Sequence, residues 1–153
     1  FLLRDDVETI HAATEVLAEA KLSPELKNEA LYYRAKAYKN QKADKKALDD
    51  FRELAKDTRN SYGAEAKYQV AQALYDAKEY AAAEKELLNY IEQSTPHAYW
   101  LARSFVLLSD VYHATGKDLD ARQYLLSLQQ NYQGNDDIES MIESRLQKLK
   151  TEN

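Results

Sequence analysis

Few residues of this 153-residue chain have a type and spacing that bear on chemistry. His11 and Glu15 stand four apart, on one face of a helix, where such a pair can share a metal ion. Two ligands rarely suffice for tight binding, so the expectation is that no metal is held. His97 falls at an expected helix start. His113 falls three residues after Asp110, and a histidine beside a carboxylate is the pairing that general acid–base chemistry uses. Both read more simply as ordinary polar residues. The 26 acidic residues produce close pairs by chance, and none sits in an apolar setting that would raise its pKa. With no cysteine, disulfides, thiolate metal sites and a cysteine nucleophile are excluded. Three isolated glycines cannot build a phosphate loop, and neither G-x-S-x-G nor H-E-x-x-H occurs. The expectation is a noncatalytic chain that needs no cofactor.

Composition narrows the partners. The net charge is -5, and an acidic surface repels phosphate, so nucleic acid is not an expected partner. Lys42, Lys45 and Lys46 cluster, but within an expected turn, where they read as solvated charges. No run of 18 apolar residues exists, so no membrane insertion is expected. A domain of this length buries roughly 70% of its unfolded-chain surface, enough for a real core. Only 3 glycines and 2 prolines argue for long helices joined by short turns.

The elements that would carry these residues are about eight helices. The first spans about Asp5 to Lys21, with Val7, Ile10, Leu17 and Ala20 on one stripe. Ser23-Pro24 caps and opens the second, which runs to about Asn40. The third covers about Ala43 to Asp57. Asn60 and Ser61 begin the fourth, ending near Ala77, and the fifth spans about Glu79 to Gln93. Thr95-Pro96 opens the sixth by the same cap-then-proline logic, and Gly116 stops it. The seventh covers about Asp118 to Asn131, and Gly134 breaks the chain again. Asp136 with Glu139 reads as a capping box for the eighth. That helix carries Ile138, Met141, Ile142, Leu146 and Leu149 on one face and polar residues on the other. It reads as a terminal cap, with a partner-binding amphipathic helix as the alternative. Phe1, Leu2 and Leu3 read as the tail of a helix whose start is missing, as in a piece of a longer protein or one processed at its N-terminus.

These segments repeat. EALYYRAKAY, Glu29 to Tyr38, recurs 36 residues later as EAKYQVAQAL and a further 38 later, in size and polarity, as RSFVLLSDVY. Small residues Ala35, Ala71 and Ser109 are each followed, 12 positions on, by Ala47, Ala83 and Ala121. Tyr38, Leu74 and Tyr112 are the large residues after the first set; Phe51, Leu87 and Leu125 follow the second. Small side chains on two antiparallel helices let the backbones approach, while large neighbours fill the gaps. A period of this size built from helix pairs predicts a solenoid.

The pattern resembles a tetratricopeptide repeat array. The resemblance covers about residues 24 to 132. It implies an all-α, right-handed superhelical solenoid of antiparallel helix pairs: a half-repeat helix at 5–22, repeats at 24–58, 60–93 and 95–132, and a capping helix at 135–150, in one domain. The chain departs from the family in its period, which is about 34 there. Leu31, Lys67 and Phe105 stand where the family carries an early tryptophan, and the closing proline is matched only loosely by Pro24 and Pro96. Leu26, Tyr62 and Trp100 occupy matching places before each first helix. The Tyr- and Ala-rich style is similar to envelope-associated tetratricopeptide proteins of bacteria, which favours a periplasmic or envelope location over the cytoplasm.

In that family the first helix of each pair lines a concave groove where partners bind. The resemblance places Glu29, Tyr32, Lys36 and Lys39 there from the first repeat, Glu65, Tyr68, Gln72, Tyr75 and Asp76 from the second, and Arg103, Val106, Asp110 and His113 from the third. Tyr32, Tyr68 and Tyr75 form a candidate aromatic strip, since tyrosine joins contact area to a hydroxyl at low entropy cost; the alternative is half-buried packing. Tyr32 and Lys36 do not match the family's lysine–asparagine carboxylate clamp, so chaperone-tail binding is not implied. The expected partner is a peptide, helix or loop of another protein. Glycan or small-ligand recognition by tyrosines, and self-association through the solenoid ends, are the alternatives.

Overall fold

The computed structural model describes residues 5–151, so the expectation for Phe1, Leu2 and Leu3 lies outside the described residues. Among them are eight α-helices and no strand: α1 (Asp6–Leu17), α2 (Pro24–Asn40), α3 (Asp44–Leu54), α4 (Ser61–Asp76), α5 (Tyr80–Glu92), α6 (Ala98–Ala114), α7 (Asp118–Asn131) and α8 (Ile138–Thr151). The fold is all-α. None of the helices is long and apolar enough to cross a membrane. The chain forms two compact units, the first ending at Val70 and the second beginning at Ala71, so the boundary falls within α4.

Side chains cap the starts of α1, α2 and α4. Asp5 caps α1, its carboxylate accepting from the Glu8 amide at 2.8 Å. The Ser23 hydroxyl accepts from Leu26 N at 3.2 Å, with Pro24 in the first turn, where a missing N–H is harmless. Asn60 Oδ1 accepts from Gly63 N at 2.8 Å and starts α4.

The turns inside the helix pairs are alike. After α2, Lys42 takes φ 59°, its N–H bonds to Lys39 O, and Ala43 N reaches Tyr38 O at 2.8 Å. After α4, Lys78 takes φ 62°, and Glu79 N reaches Leu74 O at 2.9 Å. After α6, Gly116 takes φ 79°, and Lys117 N reaches Tyr112 O at 2.7 Å. Each is a Schellman ending, in which a left-handed residue turns two amides back onto the last carbonyls. Lys42, Lys78 and Gly116 are 36 and 38 residues apart, the interval of the sequence repeat.

In the first unit α2 packs on both α1 and α3. The alanines sit where the backbones approach: Ala13, Ala30 and Ala35 are fully buried and Ala47 nearly so. Phe51 and Leu54 complete the apolar stripe of α3. Arg34 of α2 is clamped to Asp50 of α3. In the second unit α6 packs on α5, α7 and α8, and α7 packs on α8. Ala71, Ala83, Ala121, Leu87 and Leu125 are buried there. Ser109 replaces alanine in the small-residue row without leaving its hydroxyl stranded, since Oγ donates to Val106 O at 2.6 Å.

Several expected boundaries move. Helix α1 stops at Leu17, so Ala20 lies beyond it, exposed. Its buried line is Thr9 and Ala13, and Val7 is 66% exposed. Val7 precedes Thr9 by two residues, about 200° around the helix, and so faces away from α2. Thr95-Pro96 does not open α6. Ser94 takes φ 53°, Thr95 Oγ1 accepts from His97 N at 3.3 Å, and the helix starts at Ala98. The threonine thus closes a turn ahead of the helix. At α8, Asp136 Oδ1 accepts from Ile138 N at 3.0 Å, and Glu139 is already the second helical residue, so the expected capping box is not built. Ile138, Ile142 and Leu149 are buried, Met141 and Leu146 half-buried, and Glu139, Ser140, Glu143, Ser144 and Gln147 exposed.

Candidate interaction surfaces

In the first unit the structure brings three of the expected residues together. The Tyr32 hydroxyl donates to Glu65 Oε1 at 2.9 Å, and Lys36 Nζ donates to Glu65 Oε2 at 2.9 Å. Glu65 is 7% exposed, so its charge is balanced by this ammonium and phenol rather than by water. The Lys36 ammonium also lies 5.5 Å from the Tyr32 ring centroid, a cation–π distance. Burial first, then the bond to Glu65, hold the Tyr32 phenol well above its ordinary pKa. Tyr32 meets Tyr62 with centroids 4.6 Å apart and Tyr33 edge-on at 5.3 Å. Lys39, exposed, donates to Gln69 at 2.8 Å, and Glu29 is half-buried.

Tyr68 does not join this strip. It is 6% exposed and belongs to the core. Helix α4 buries Gly63, Ala64, Glu65, Ala66, Tyr68, Val70, Ala71 and Leu74. A helix buried over so much of its surface gives periodicity no single outward face.

The second unit holds the remaining expected residues, several already paired. Gln72 donates to Asp76 at 2.9 Å along α4. Tyr75 meets Tyr80 edge-on at 5.6 Å, and burial, then the nearby Asp110 carboxylate, raise its pKa. Asp110 is forked by Arg145 of α8, through Nε at 3.2 Å and Nη2 at 3.3 Å. Arg103 donates to the Tyr99 hydroxyl at 3.0 Å, and that hydroxyl donates to Asp137 at 2.8 Å. His113 Nδ1 lies 2.9 Å from Asp118, across the α6–α7 turn. Val106 is 1% exposed and offers no surface to a partner.

Asp110 stands 74 residues after Lys36, the sum of the two repeat intervals. Lys36 of α2 reaches Glu65 on α4, and Asp110 of α6 is reached by Arg145 on α8. The same rung recurs with its signs reversed. Arg145 had no counterpart in the sequence pattern, and only this sign reversal could have singled it out.

Sequence reasoning also passed over a cleft of about 450 Å³ at the α7–α8 connection. Ile138 and Ile142 form its floor, and Gln129, Gln133, Asn135 and Glu139 its rim. Tyr132 supplies one wall. Its hydroxyl donates to Asp136 Oδ2 across Gly134, where a Cβ would lie 2.5 Å from that hydroxyl and 2.6 Å from Asp136 Oδ2. Only glycine fits beneath this closure. Burial first, then the bond to Asp136, push the Tyr132 phenol up to about 12.

His11 Nε2 and Glu15 Oε1 meet at 3.1 Å, exposed on α1. Among the described residues no three His, Asp or Glu side chains gather in a way that would hold a metal ion. No family model, curated protein or solved structure matches the chain.

Proposed function

We propose that this chain is a tetratricopeptide-type scaffold, a noncatalytic superhelical solenoid that holds a segment of a partner protein against the first helices of its pairs. The observation that carries the reading is the Schellman turn repeated at Lys42, Lys78 and Gly116 in step with the buried alanines. A helix pair built three times on one plan is the unit of such arrays. The binding surface, on this reading, is polar and pre-set. Tyr32 and Lys36 are fixed on Glu65, so little side-chain freedom is lost when a partner docks. Lys39 and Glu29 are the accessible or half-accessible groups beside them on α2 and supply charge recognition. Tyr68 and Val106 drop out of the binding set, and α8, apolar inside and polar outside, serves as the cap.

The test is a pull-down from lysate of the source organism with the parent chain beside a Glu29→Lys, Lys39→Glu, Asp76→Lys variant. All three side chains avoid the core, so circular dichroism is expected to be unchanged. A protein retained by the parent and lost by the variant supports the reading; equal retention by both sinks it.

A further inference from the structure

We infer that the cleft at the α7–α8 connection binds a neutral, hydroxyl-rich small molecule of the sugar class. Its volume of about 450 Å³ falls within the range of roughly 300–1,000 Å³ of small-molecule sites. The side chains of Gln129, Gln133, Asn135 and Glu139 are exposed around it and make no hydrogen bond within the described protein. An amide offers a donor and an acceptor together, which is the demand a hydroxyl makes. These groups come from α7, from the connection and from α8, so they surround the floor rather than follow one line. That arrangement suits a ring bearing hydroxyls on several sides better than an extended peptide.

Charge excludes other ligand classes. No lysine or arginine lines the cleft, so a phosphate or carboxylate finds no counter-ion. Asp136 has one oxygen on Tyr132 and the other on Ile138 N, leaving Glu139 as the one open carboxylate, too few for a metal ion. Ile138 is fully buried and Ile142 3% exposed, so a purely apolar ligand gains little contact. The wall is fixed in advance by the Tyr132–Asp136 closure over Gly134, which limits the ordering cost of binding.

The test is an amide-resolved NMR titration of the full chain. The probes are methyl β-glucoside, methyl β-galactoside, methyl α-mannoside, N-acetylglucosamine and, separately, triglycine amide. At least one sugar is expected to give saturable shifts at the side-chain amides of Gln129, Gln133 and Asn135 and at Gly134 N–H, with a Kd of about 1–10 mM. Gln133→Ala with Asn135→Ala removes two exposed, unpartnered side chains, so the fold is retained, and is expected to weaken binding about tenfold or more. Gly134→Ala, which forces open the Tyr132–Asp136 closure, is expected to weaken it as well. The inference is overturned if no sugar gives saturable shifts, if the double variant binds as the parent does, or if triglycine amide alone moves these resonances.

Discussion

Arg34 grips Asp50 with both arms of its guanidinium, Nε to Oδ2 at 2.8 Å and Nη2 to Oδ1 at 2.7 Å. Asp50 is 5% exposed, and a third bond from Arg34 Nη1 reaches Thr14 on α1 at 3.2 Å, so one side chain ties three helices. A buried pair of this kind is costly to break and easier to replace whole. Asp50→Ala strands a guanidinium and is expected to cost about 3 kcal/mol in urea unfolding. Val70 and Leu108 stand at the places corresponding to Arg34 in the later repeats. Arg34→Leu with Asp50→Leu is therefore expected to unfold within about 1 kcal/mol of the parent. A cost below about 1 kcal/mol for Asp50→Ala alone would refute this account.

Gly63 is the least replaceable glycine. A Cβ there would lie 2.8 Å from Leu54 O and closer still to the Asp57 carbonyl, both backbone atoms that cannot swing aside. Gly63→Ala is expected to destabilise the first unit by about 2–3 kcal/mol, read as a lower urea midpoint with the slope unchanged. Gly134→Ala meets only side-chain atoms and should cost about 1 kcal/mol or less, so equal losses at the two sites would contradict the argument.

The repeated turns predict gains. Lys42 and Lys78 hold left-handed backbone, which costs a residue with a Cβ about 1 kcal/mol. Part of that is offset by the freedom glycine has when unfolded. Lys42→Gly and Lys78→Gly are each expected to stabilise by about 0.5 kcal/mol, and Gly116→Ala to destabilise by about 1 kcal/mol. Thermal midpoints of the three variants check the signs, and a fall in both lysine variants would show that the side chains matter more than the backbone.

The tyrosines set an alkaline limit. Burial, then the nearby Glu84 carboxylate, push Tyr112 up to about 12, and Tyr32 and Tyr75 are also raised. The folded state thus favours the neutral phenols. The contribution of Tyr112 is fully present below the ordinary tyrosine pKa of about 10 and is lost as pH climbs from there through about 12. Unfolding midpoints should fall across that window, and Tyr112→Phe should lose less than the parent. Identical alkaline profiles for parent and variant would remove Tyr112 from this account.

Much of this architecture is legible in the residues. The alanine rows are buried where the repeat interval places them, because close approach of two helices permits little else. Ser23-Pro24 marks its helix start because cap and proline act locally. Thr95-Pro96, alike in letters, fails because Ser94 turns left-handed and draws the threonine into a tighter turn. The candidate surface was less legible. Tyr32 and Tyr68 stand at corresponding places 36 apart, yet one hydroxyl reaches Glu65 at a partly open surface while the other ring lies in the core. Correspondence in sequence fixes the direction in which a side chain leaves its helix but not what lies over it. The Lys36–Glu65 and Asp110–Arg145 rungs join residues 29 and 35 apart with opposite signs, so neither charge pattern repeats in the sequence.

Three residues separate α2 from α3, α4 from α5 and α6 from α7, whereas α1–α2, α3–α4, α5–α6 and α7–α8 are joined by five or six. The short joins are stitched by backbone bonds, and α2 packs on α3 and α6 on α7, so each of these two pairs holds together as a cassette. The two extra residues of the second repeat interval lie in the helices, α5 and α6 having 13 and 17 residues against 11 and 16 in α3 and α4, while the join between them is one residue shorter. The longer joins are the seams at which such a pair can be exchanged without unpicking its interior, and within the second unit residues 93–97 are where a graft should be cut.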